Sequence, residues 1–588
     1  MAVIRAHDLR SVVSRPLDLS TSRRPRVDAI VMPIVIVALG FYVVYPLVLI
    51  LINSFNVARI ADPPRYGLDN WIAAFSQPRV LQSLGNTLLV YFLYTSIGFP
   101  IAVAIAWALA RIRMPFAHGL EFLFWVSYML PSLFTTIGWM MLLDPDLGLL
   151  NVGLRRLLLP GTTTGPLNIF TVPGIVWVHL VSTVISTKVM LLTPAFRNMD
   201  ASYEEAGRAS GASNLMTMAR ITLPMMIPPM TIVLMLNVVR MFQTFEIEQL
   251  VGTPFRFYVY STLIFQLARA SEPPQYGQAT ALASLTLLLI AAIIPLQRWL
   301  LHRRQVTTVS GRFRPGLIEI GRWWWLPFGL IVLVLLVLNV VPLVTVVVGS
   351  FMTRAGFFQL AQVFTLRHWT NVLMDNQFRT ALFNTVVLSG VTALISPFLF
   401  SFIAYILVRT RWRGRALLDS IVWSSGAVPG ILASLGLLWM FLSTPFLRPI
   451  YGTIWALVLV AVLQGKLTGT QISKGVFLQL GQDLEDAARA SGGGWLTVYL
   501  RIWLPLIMPT MILIGTMHFV IAAQATSHIV LLATRDTITL SLLALEFASG
   551  GTTQREEAGI IGLIIVLMTV GVALVARAFG MKLGVRHQ

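Results

Sequence analysis

The sequence predicts an all-α polytopic membrane protein with about twelve transmembrane helices in two parallel six-helix repeats. Of its 588 residues, 56% are hydrophobic and only 11% are charged, and the mean hydropathy is +0.78. Long apolar runs recur along the chain, and in lipid only a helix satisfies every backbone polar group within one segment. A short polar island also occurs twice at a constant offset of 281 residues. These observations exclude a soluble globular protein.

Twelve apolar runs have the length of a membrane span. They are expected at about 29–52, 86–110, 120–143, 173–194, 225–244, 277–300, 323–349, 384–408, 417–442, 452–473, 503–524 and 558–580. Pro131 should kink the third span, residues 144–172 have loop composition, and 245–276 could form a short external helix. The chain then divides into a cytoplasmic N-terminal tail at 1–27, a first transmembrane half at 28–300, a basic cytoplasmic linker at 301–322, a second transmembrane half at 323–580 and a cytoplasmic tail at 581–588.

The distribution of Lys and Arg predicts the orientation. With the N-terminus inside, cytoplasmic segments hold 27 of the 43 Lys and Arg residues and external loops hold 13. Cytoplasmic loops of membrane proteins collect these residues, so the net charge of +19 is assigned to loops and not to nucleic-acid binding. Both termini and both polar islands are therefore expected on the cytoplasmic side of the membrane.

The repeat extends beyond the islands. Five features of the first half recur 298 residues later: Trp71, Asn86-Thr87, Arg111, Pro131 and Gly138. The offset then falls to 281, so the first half has 17 extra residues, which are assigned to 144–172. Because each half has an even number of spans, the repeats are parallel and a pathway is expected between them.

Each island predicts a short helix, a tight turn at glycine and re-entry into the membrane at a Leu-Pro pair. The first island contains Glu204, Glu205, Ala206, Gly207 and Gly211, followed by Leu223 and Pro224. The second contains Glu485, Asp486, Ala487, Ala488 and Gly492, followed by Leu504 and Pro505. An ordinary loop would not be expected to repeat its acidic, small and glycine residues in register.

These residues resemble the EAA loop of permease subunits of binding-protein-dependent ABC importers, with Gly207 and Asp486 as departures from the motif. The resemblance covers essentially the whole chain as two fused copies. It implies that each island is a coupling helix that docks on a cytoplasmic ATPase. The implied partners are two ATPase subunits, which bind ATP and Mg, and a periplasmic solute-binding protein.

The fused form most resembles the ferric-iron permeases of this superfamily, and the run 245–254 looks similar to a segment of the iron type. Permeases for thiamine, phosphonate or polyamines remain alternatives. So does a secondary transporter driven by an ion gradient, which would not need the paired islands. The chain has no phosphate-binding loop and no catalytic motif, so it is not expected to be an enzyme by itself.

Polar residues near the spans are candidates for a solute pathway, since such groups are costly in lipid. They are Asn237, Arg240, Gln243, Glu246, Glu248, His518, Gln524, Ser527 and His528. The spacing of Arg240, Gln243 and Glu246 predicts one helical face, and interfacial anchoring is the alternative interpretation. Lys188 and Lys466 are expected to extend to the headgroups. No residue set has the spacing of a metal site.

Overall fold

The computed structural model describes residues 27–58, 63–158, 161–302, 316–410, 412–426, 428–550 and 554–582. In these ranges the chain forms helices and three isolated β-bridges, without a β-strand. The first half contains fourteen α-helices: α1 Val27–Ser54, α2 Asp69–Phe75, α3 Pro78–Arg111, α4 Ala117–Met129, α5 Ser132–Leu143, α6 Leu149–Leu158, α7 Val172–His179, α8 Ile185–Arg197, α9 Ser202–Ala209, α10 Asn214–Thr217, α11 Leu223–Met225, α12 Ile227–Arg240, α13 Tyr260–Phe265 and α14 Tyr276–His302.

The second half also contains fourteen α-helices. They are α15 Trp325–Leu335, α16 Val341–Phe351, α17 Arg367–Met374, α18 Asn376–Arg409, α19 Arg415–Ser425, α20 Gly430–Ser443, α21 Ile454–Leu463, α22 Lys466–Gln479, α23 Asp483–Ala490, α24 Trp495–Val498, α25 Leu504–Leu506, α26 Met508–Ala523, α27 Leu540–Ser549 and α28 Arg555–Lys582. Parts of the predicted tails and linker, at 1–26, 303–315 and 583–588, lie outside the described residues.

Seven helical segments are long and apolar enough to cross a membrane, and five bent pairs bring the number to twelve if each pair is one span. The pairs bend by 91° between α4 and α5, 58° before α12, 114° between α19 and α20, 44° between α21 and α22, and 76° before α26. Pro131 and Pro429 lie at the two sharpest bends, because proline cannot continue a helical hydrogen-bond ladder. The predicted class, an all-α polytopic membrane protein, is confirmed.

Several elements of the first half recur in the second half at the predicted offsets. Helices α3 and α18 begin and end 298 residues apart, and the island helices α9 and α23 begin and end 281 residues apart. The face of the protein that carries α9 and α23 is called the island face below. Two segments expected to be loops contain helices: α2 holds Trp71, and α6 occupies part of 144–172. The longer connection in the first half is therefore partly structured.

The first span of each half packs on the other half. Helix α1 contacts α20, and α16 contacts α5. A Cβ atom at Gly138 in α5 would lie 2.8 Å from the carbonyl oxygen of Pro342. At Gly436 in α20 it would lie 3.0 Å from the carbonyl oxygen of Pro46. The glycines that match between the repeats therefore let the backbones of opposite halves approach closely.

On the face opposite the islands, residues in the first turn of α28 contact three other segments, at Asp144, Ala355 and His368. Arg555 Nη1 donates to Asp144 Oδ2 at 2.5 Å across the two halves, and the backbone N–H of Ala355 donates to Glu556 Oε1 at 2.7 Å. His368 Nδ1 lies 2.7 Å from Glu557 Oε1, and both side chains are 13% exposed. The ion pair between Arg555 and Asp144 therefore joins the two halves on that face.

His368 should make stability depend on pH. The hydrogen bond with Glu557 raises the pKa of His368, despite partial burial. A raised folded-state pKa means that the stabilisation is fully present below the ordinary histidine pKa and is lost as pH rises through the raised value. The wild-type chain should therefore exceed His368→Gln in melting temperature by more at pH 5.5 than at pH 8.5, measured in detergent. The exposed His118→Gln variant is the control, and an equal difference at both pH values would contradict the assignment.

Candidate coupling site and solute pathway

Both islands form the predicted short helix followed by a glycine turn. Helix α9 ends before Gly211, which has a φ of +86°, and α23 ends before Gly492, which has a φ of +82°. The next residues close equivalent turns: Ala212 N donates to Gly207 O at 3.1 Å, and Gly493 N donates to Ala488 O at 2.9 Å. L-residues with a side chain rarely adopt this conformation, so the motif requires glycine here. A Cβ atom at either glycine would meet open space, so both turns face outward.

The two acidic residues at the start of each island have different surroundings. Glu204 and Glu485 are buried, whereas Glu205 and Asp486 are exposed. In each pair of adjacent acidic residues, one side chain is therefore buried and the other is exposed. Only the outward residue of each pair is available to a partner.

Glu204 anchors the first island to the end of span two. Arg111 Nε lies 3.6 Å from Glu204 Oε1, and both side chains are 1% exposed. Thr222 donates its hydroxyl to the same carboxylate oxygen at 2.7 Å, and Arg111 Nη2 donates to Met199 O at 2.8 Å. The buried pair therefore joins α3, the island helix and the start of span five.

The second island has a different anchor at the matching positions. Arg409 Nη2 donates to Phe477 O and Leu480 O at 2.6 Å each, and its guanidinium carbon lies 4.5 Å from the centre of the Trp503 ring. Glu485 instead binds Arg489 within α23 at 2.5 Å. The islands are thus alike in backbone and unequal in how the membrane spans hold them.

A small residue at position 207 also has a local reason. A Cβ atom at Gly207 would lie 2.6 Å from Ile221 Cδ1, whereas Ala488 occupies the matching place in the second island. Next to Gly207, an open cleft of about 670 Å³ is lined by residues that include Tyr203, Met216 and Arg220.

The remaining predicted island residues differ in exposure. Ala206 and Ala487 are exposed, as are Pro224 and Pro505, while Leu223 and Leu504 are half-buried.

The end of the predicted linker, at Gly316 and Ile318, contacts the end of span two, which the sequence pattern did not predict. Ile318 N donates to Arg111 O at 2.6 Å, and Arg113 N donates to Ile318 O at 3.1 Å. Arg111 Nη1 also donates to Gly316 O at 3.3 Å. No local signal in a loop-like segment predicts such a partner about 200 residues away.

Two glutamines among the pathway candidates form reciprocal bonds between the halves. Gln243 Nε2 donates to Gly426 O at 3.4 Å, next to the bend of the third span of the second half. Gln524 Nε2, at the matching position, donates to Met129 O at 2.8 Å, at the bend of the third span of the first half. Thr526 also donates to Glu246 Oε1 at 2.6 Å across the interface. These contacts place Gln243, Gln524 and Glu246 between the repeats.

The other candidates lie within single halves. Glu248 pairs with His179 at 2.8 Å, and His528 Nδ1 lies 3.1 Å from Gln464 Nε2 and 3.4 Å from the Ser527 hydroxyl. His518 is buried against Phe400, with ring centres 4.9 Å apart. Asn237 donates to Val233 O of its own helix at 2.7 Å. These side chains therefore do not form one continuous cluster.

Two details of the sequence interpretation are wrong. Helix α12 ends at Arg240, so Arg240, Gln243 and Glu246 do not share one helical face. Lys188 and Lys466 are 0% and 8% exposed, so neither extends to the headgroups. In both cases the error arose because helix ends and helix orientation depend on packing between distant segments.

Comparisons with known proteins give a consistent picture. Residues 98–306 match the family described as binding-protein-dependent transport system inner membrane component. The chain is 26% identical over 359 residues to a putative ferric transport system permease protein, FbpB 1, of Haemophilus influenzae, covering 59% of this chain and 54% of that protein. It is 26% identical over 244 residues to the spermidine/putrescine transport system permease protein PotB of Escherichia coli, covering 42% of this chain and 80% of that protein.

A solved structure also aligns with part of the chain. It is that of a bacterial ABC transporter involved in the import of the acidic polysaccharide alginate, with a TM-score of 0.38 and 15% sequence identity. The alignment covers 47% of this chain and 97% of that one. The chain spans about half the length of the ferric permeases that it matches.

The fold and the paired islands define a two-repeat polytopic membrane protein. Within this class, the segment 98–306 matches the family of inner membrane components of binding-protein-dependent transport systems. The predicted resemblance to permeases of binding-protein-dependent importers, and to the ferric permeases among them, is confirmed by these matches, whereas the role of the island residues stays a prediction.

Proposed function

We propose that the chain is the membrane permease of an ABC importer and moves a small solute across the inner membrane by alternating access. The observation that carries the proposal is the repeated island, in which a helix, a glycine turn of positive φ and a bent span recur in register. The match of the segment 98–306 to a binding-protein-dependent transport family supports it. The two outward surfaces, with Glu205 and Asp486, are the docking sites for two ATPase subunits.

In this proposal ATP and Mg bind to the ATPase subunits, and a periplasmic binding protein delivers solute to the face opposite the islands. ATP binding closes the ATPase pair and moves both island helices. The anchors at Arg111 and Arg409 transmit the movement to the second span of each half. Coupling requires that ATP favour one membrane conformation over the other. The islands and both termini are cytoplasmic.

The solute is proposed to be ferric iron, since two relatives are named as ferric transport permeases. A polyamine is the second candidate, because other relatives are named as spermidine/putrescine permeases. The binding profile of the cognate binding protein across ferric chelates, putrescine, thiamine and phosphonates separates these candidates. Selective binding of putrescine would overturn the iron assignment.

A secondary transporter is the rival function, and it needs no ATPase. Deleting the cognate ATPase should abolish solute uptake by cells that carry the chain. Uptake that continues at the wild-type rate without the ATPase would contradict the ABC proposal.

The reciprocal glutamine bonds should hold the two halves closed. Gln524→Ala removes the shorter bond, so the reconstituted complex should hydrolyse ATP severalfold faster without binding protein, because the closed state loses about 1 kcal/mol. Gln77→Ala is the matched control, since Gln77 Nε2 donates to Gln278 within one half at 2.9 Å. Equal basal rates in both variants would argue against a closing role.

A further inference from the structure

A polar cavity of about 290 Å³ lies at the start of α3, at the end of this helix that is distant from the islands. It is bounded by one side of α3 and by the loop that precedes α13. Its lining residues are all polar: Arg79, Gln82, Ser83, Asn86, Arg256 and Tyr258. The first four are spaced by three or four positions, so they lie on one side of the helix.

The loop that forms the other wall is fixed against α3 by hydrogen bonds. Asn86 Nδ2 donates to Tyr258 O at 2.9 Å, and Tyr260 N donates to Thr87 Oγ1 at 2.9 Å. Arg256 has a φ of +59°, a backbone conformation that is uncommon for residues other than glycine. This local geometry places Arg256 on the wall of the cavity opposite α3.

The charges around the cavity are of one sign. The lining contains two arginines and no acidic residue. In the described ranges neither Arg79 nor Arg256 forms an ion pair with a carboxylate. Helix α3 begins at Pro78 without a side-chain cap, so the positive end of its dipole lies beside Arg79. Guanidinium groups and helix N-termini bind phosphate and carboxylate oxygens.

The second half builds the same frame at the matching place. Asn384 Nδ2 donates to Ile538 O at 2.9 Å, and Leu540 N donates to Thr385 Oγ1 at 2.8 Å. These two bonds correspond one to one with those that hold the loop against α3. They therefore define which residues of the two halves are equivalent.

The charges at the equivalent positions differ between the halves. Arg79 corresponds to Gln377, and Arg256 corresponds to Asp536. Arg535 is also nearby in the second half, but the carboxylate of Asp536 next to it offsets its charge. The frame therefore forms without two facing arginines, so their presence in the first half needs another explanation.

The outer part of α3 also faces lipid. The helix has 34 residues, whereas about 20 cross the hydrocarbon core, so its first turns reach the headgroup layer. Leu88, Leu89 and Phe92 are 53%, 44% and 67% exposed. Leu89 follows Gln82 by seven residues, which puts both on one side of the helix and about 10 Å apart along its axis. A lipid chain packed on Leu89 would thus carry its headgroup at the level of the cavity.

We propose that the cavity between Arg79 and Arg256 binds the phosphate group of an anionic lipid headgroup, in the leaflet opposite the islands. Both guanidinium groups donate to the phosphate oxygens, and the Gln82 amide and Tyr258 hydroxyl bind the rest of the headgroup. A free phosphate ester offers the same oxygens but has no acyl chain to pack on Leu89. The inference goes beyond the proposed transport function and does not depend on it.

The test is native mass spectrometry of the purified full chain in detergent, titrated with phosphatidylglycerol, phosphatidylcholine or glycerol phosphate. The wild type should bind one phosphatidylglycerol about tenfold more tightly than phosphatidylcholine. Arg79→Gln and Arg256→Gln should each weaken this binding about tenfold or more, as expected for loss of a charged hydrogen bond. An equal concentration of glycerol phosphate should leave phosphatidylglycerol bound.

The second half supplies the matched variants. Arg379 is exposed in the first turn of α18, and Arg379→Gln should bind phosphatidylglycerol like the wild type. The double variant Gln377→Arg with Asp536→Arg should gain a second binding event, because it places two arginines on the equivalent frame. Melting temperature and gel filtration show that each variant is folded.

Three results would overturn the site. They are wild-type affinity in Arg79→Gln, an equal loss of affinity in Arg379→Gln and Arg79→Gln, and equal affinity of the wild type for phosphatidylcholine. Displacement of phosphatidylglycerol by glycerol phosphate at the same concentration would overturn the lipid assignment, since a free phosphate ester would then occupy the cavity.

Discussion

Gly211→Val should strip the ATPase from the purified complex while the membrane domain stays folded. Gly211 has a φ of +86°, and a Cβ atom there would point into open space on the island face. A β-branched residue in this conformation costs about 1–2 kcal/mol locally. The larger effect is at the docking surface, where overpacking of about 1–3 kcal/mol lowers the affinity for the ATPase about fivefold or more.

Gly161→Val is the matched control for Gly211→Val. Gly161 has a φ of +97°, also faces open space, and lies in the connection on the opposite face. It should carry the same backbone strain and retain wild-type amounts of ATPase. Gly492→Val tests the second island and should act in the same direction. Normal copurification of the ATPase with Gly211→Val would contradict the proposal that the islands are the docking site.

Arg111→Met should destabilise the chain by about 3–5 kcal/mol, because removal of one partner leaves the buried carboxylate of Glu204 without its counter-charge. The variant also loses the donors to Met199 O and Gly316 O, so the end of span two and the first island lose a shared anchor. Chemical denaturation in detergent, followed by tryptophan fluorescence, measures the change.

The neighbouring Arg113 provides the comparison. Its ion pair with Glu319 is 68% and 69% exposed, so Arg113→Ala should change stability by less than about 1 kcal/mol. The double variant Arg111→Met with Glu204→Met should recover much of the loss, since it removes both buried charges. Additive losses in the double variant would show that the two side chains do not interact.

The parts of the fold that the sequence predicts are those that depend on residues close together in the chain. Each span follows from the length of one apolar run, and the bends at Pro131 and Pro429 follow from a single residue type. The turns at Gly211 and Gly492 follow from a backbone conformation that other residues rarely adopt. Each of these signals lies within about twenty consecutive residues. They can therefore be recognised without knowing which helices pack against each other.

The candidate sites were predicted less completely, because their contacts join distant segments. The sequence placed Glu204 and Glu205 together, but only packing against Arg111 separates the buried anchor from the exposed acid. The bond from Gln524 to Met129 O joins residues 395 positions apart. Nothing in the local pattern indicates which helix face meets which neighbour.

By itself, the sequence determined an all-α membrane protein with two repeats and paired island helices, and it predicted about twelve spans where the described residues have seven spanning helices, or twelve if each bent pair is one span. The physical reason is that span length, proline, glycine and repeat register act locally. Only the tertiary structure decided that Lys188 is buried beside Tyr94 and His179 and does not extend to the headgroups. That outcome depends on the rotation of α8 against α3, which is set by packing between helices and not by the composition of either one.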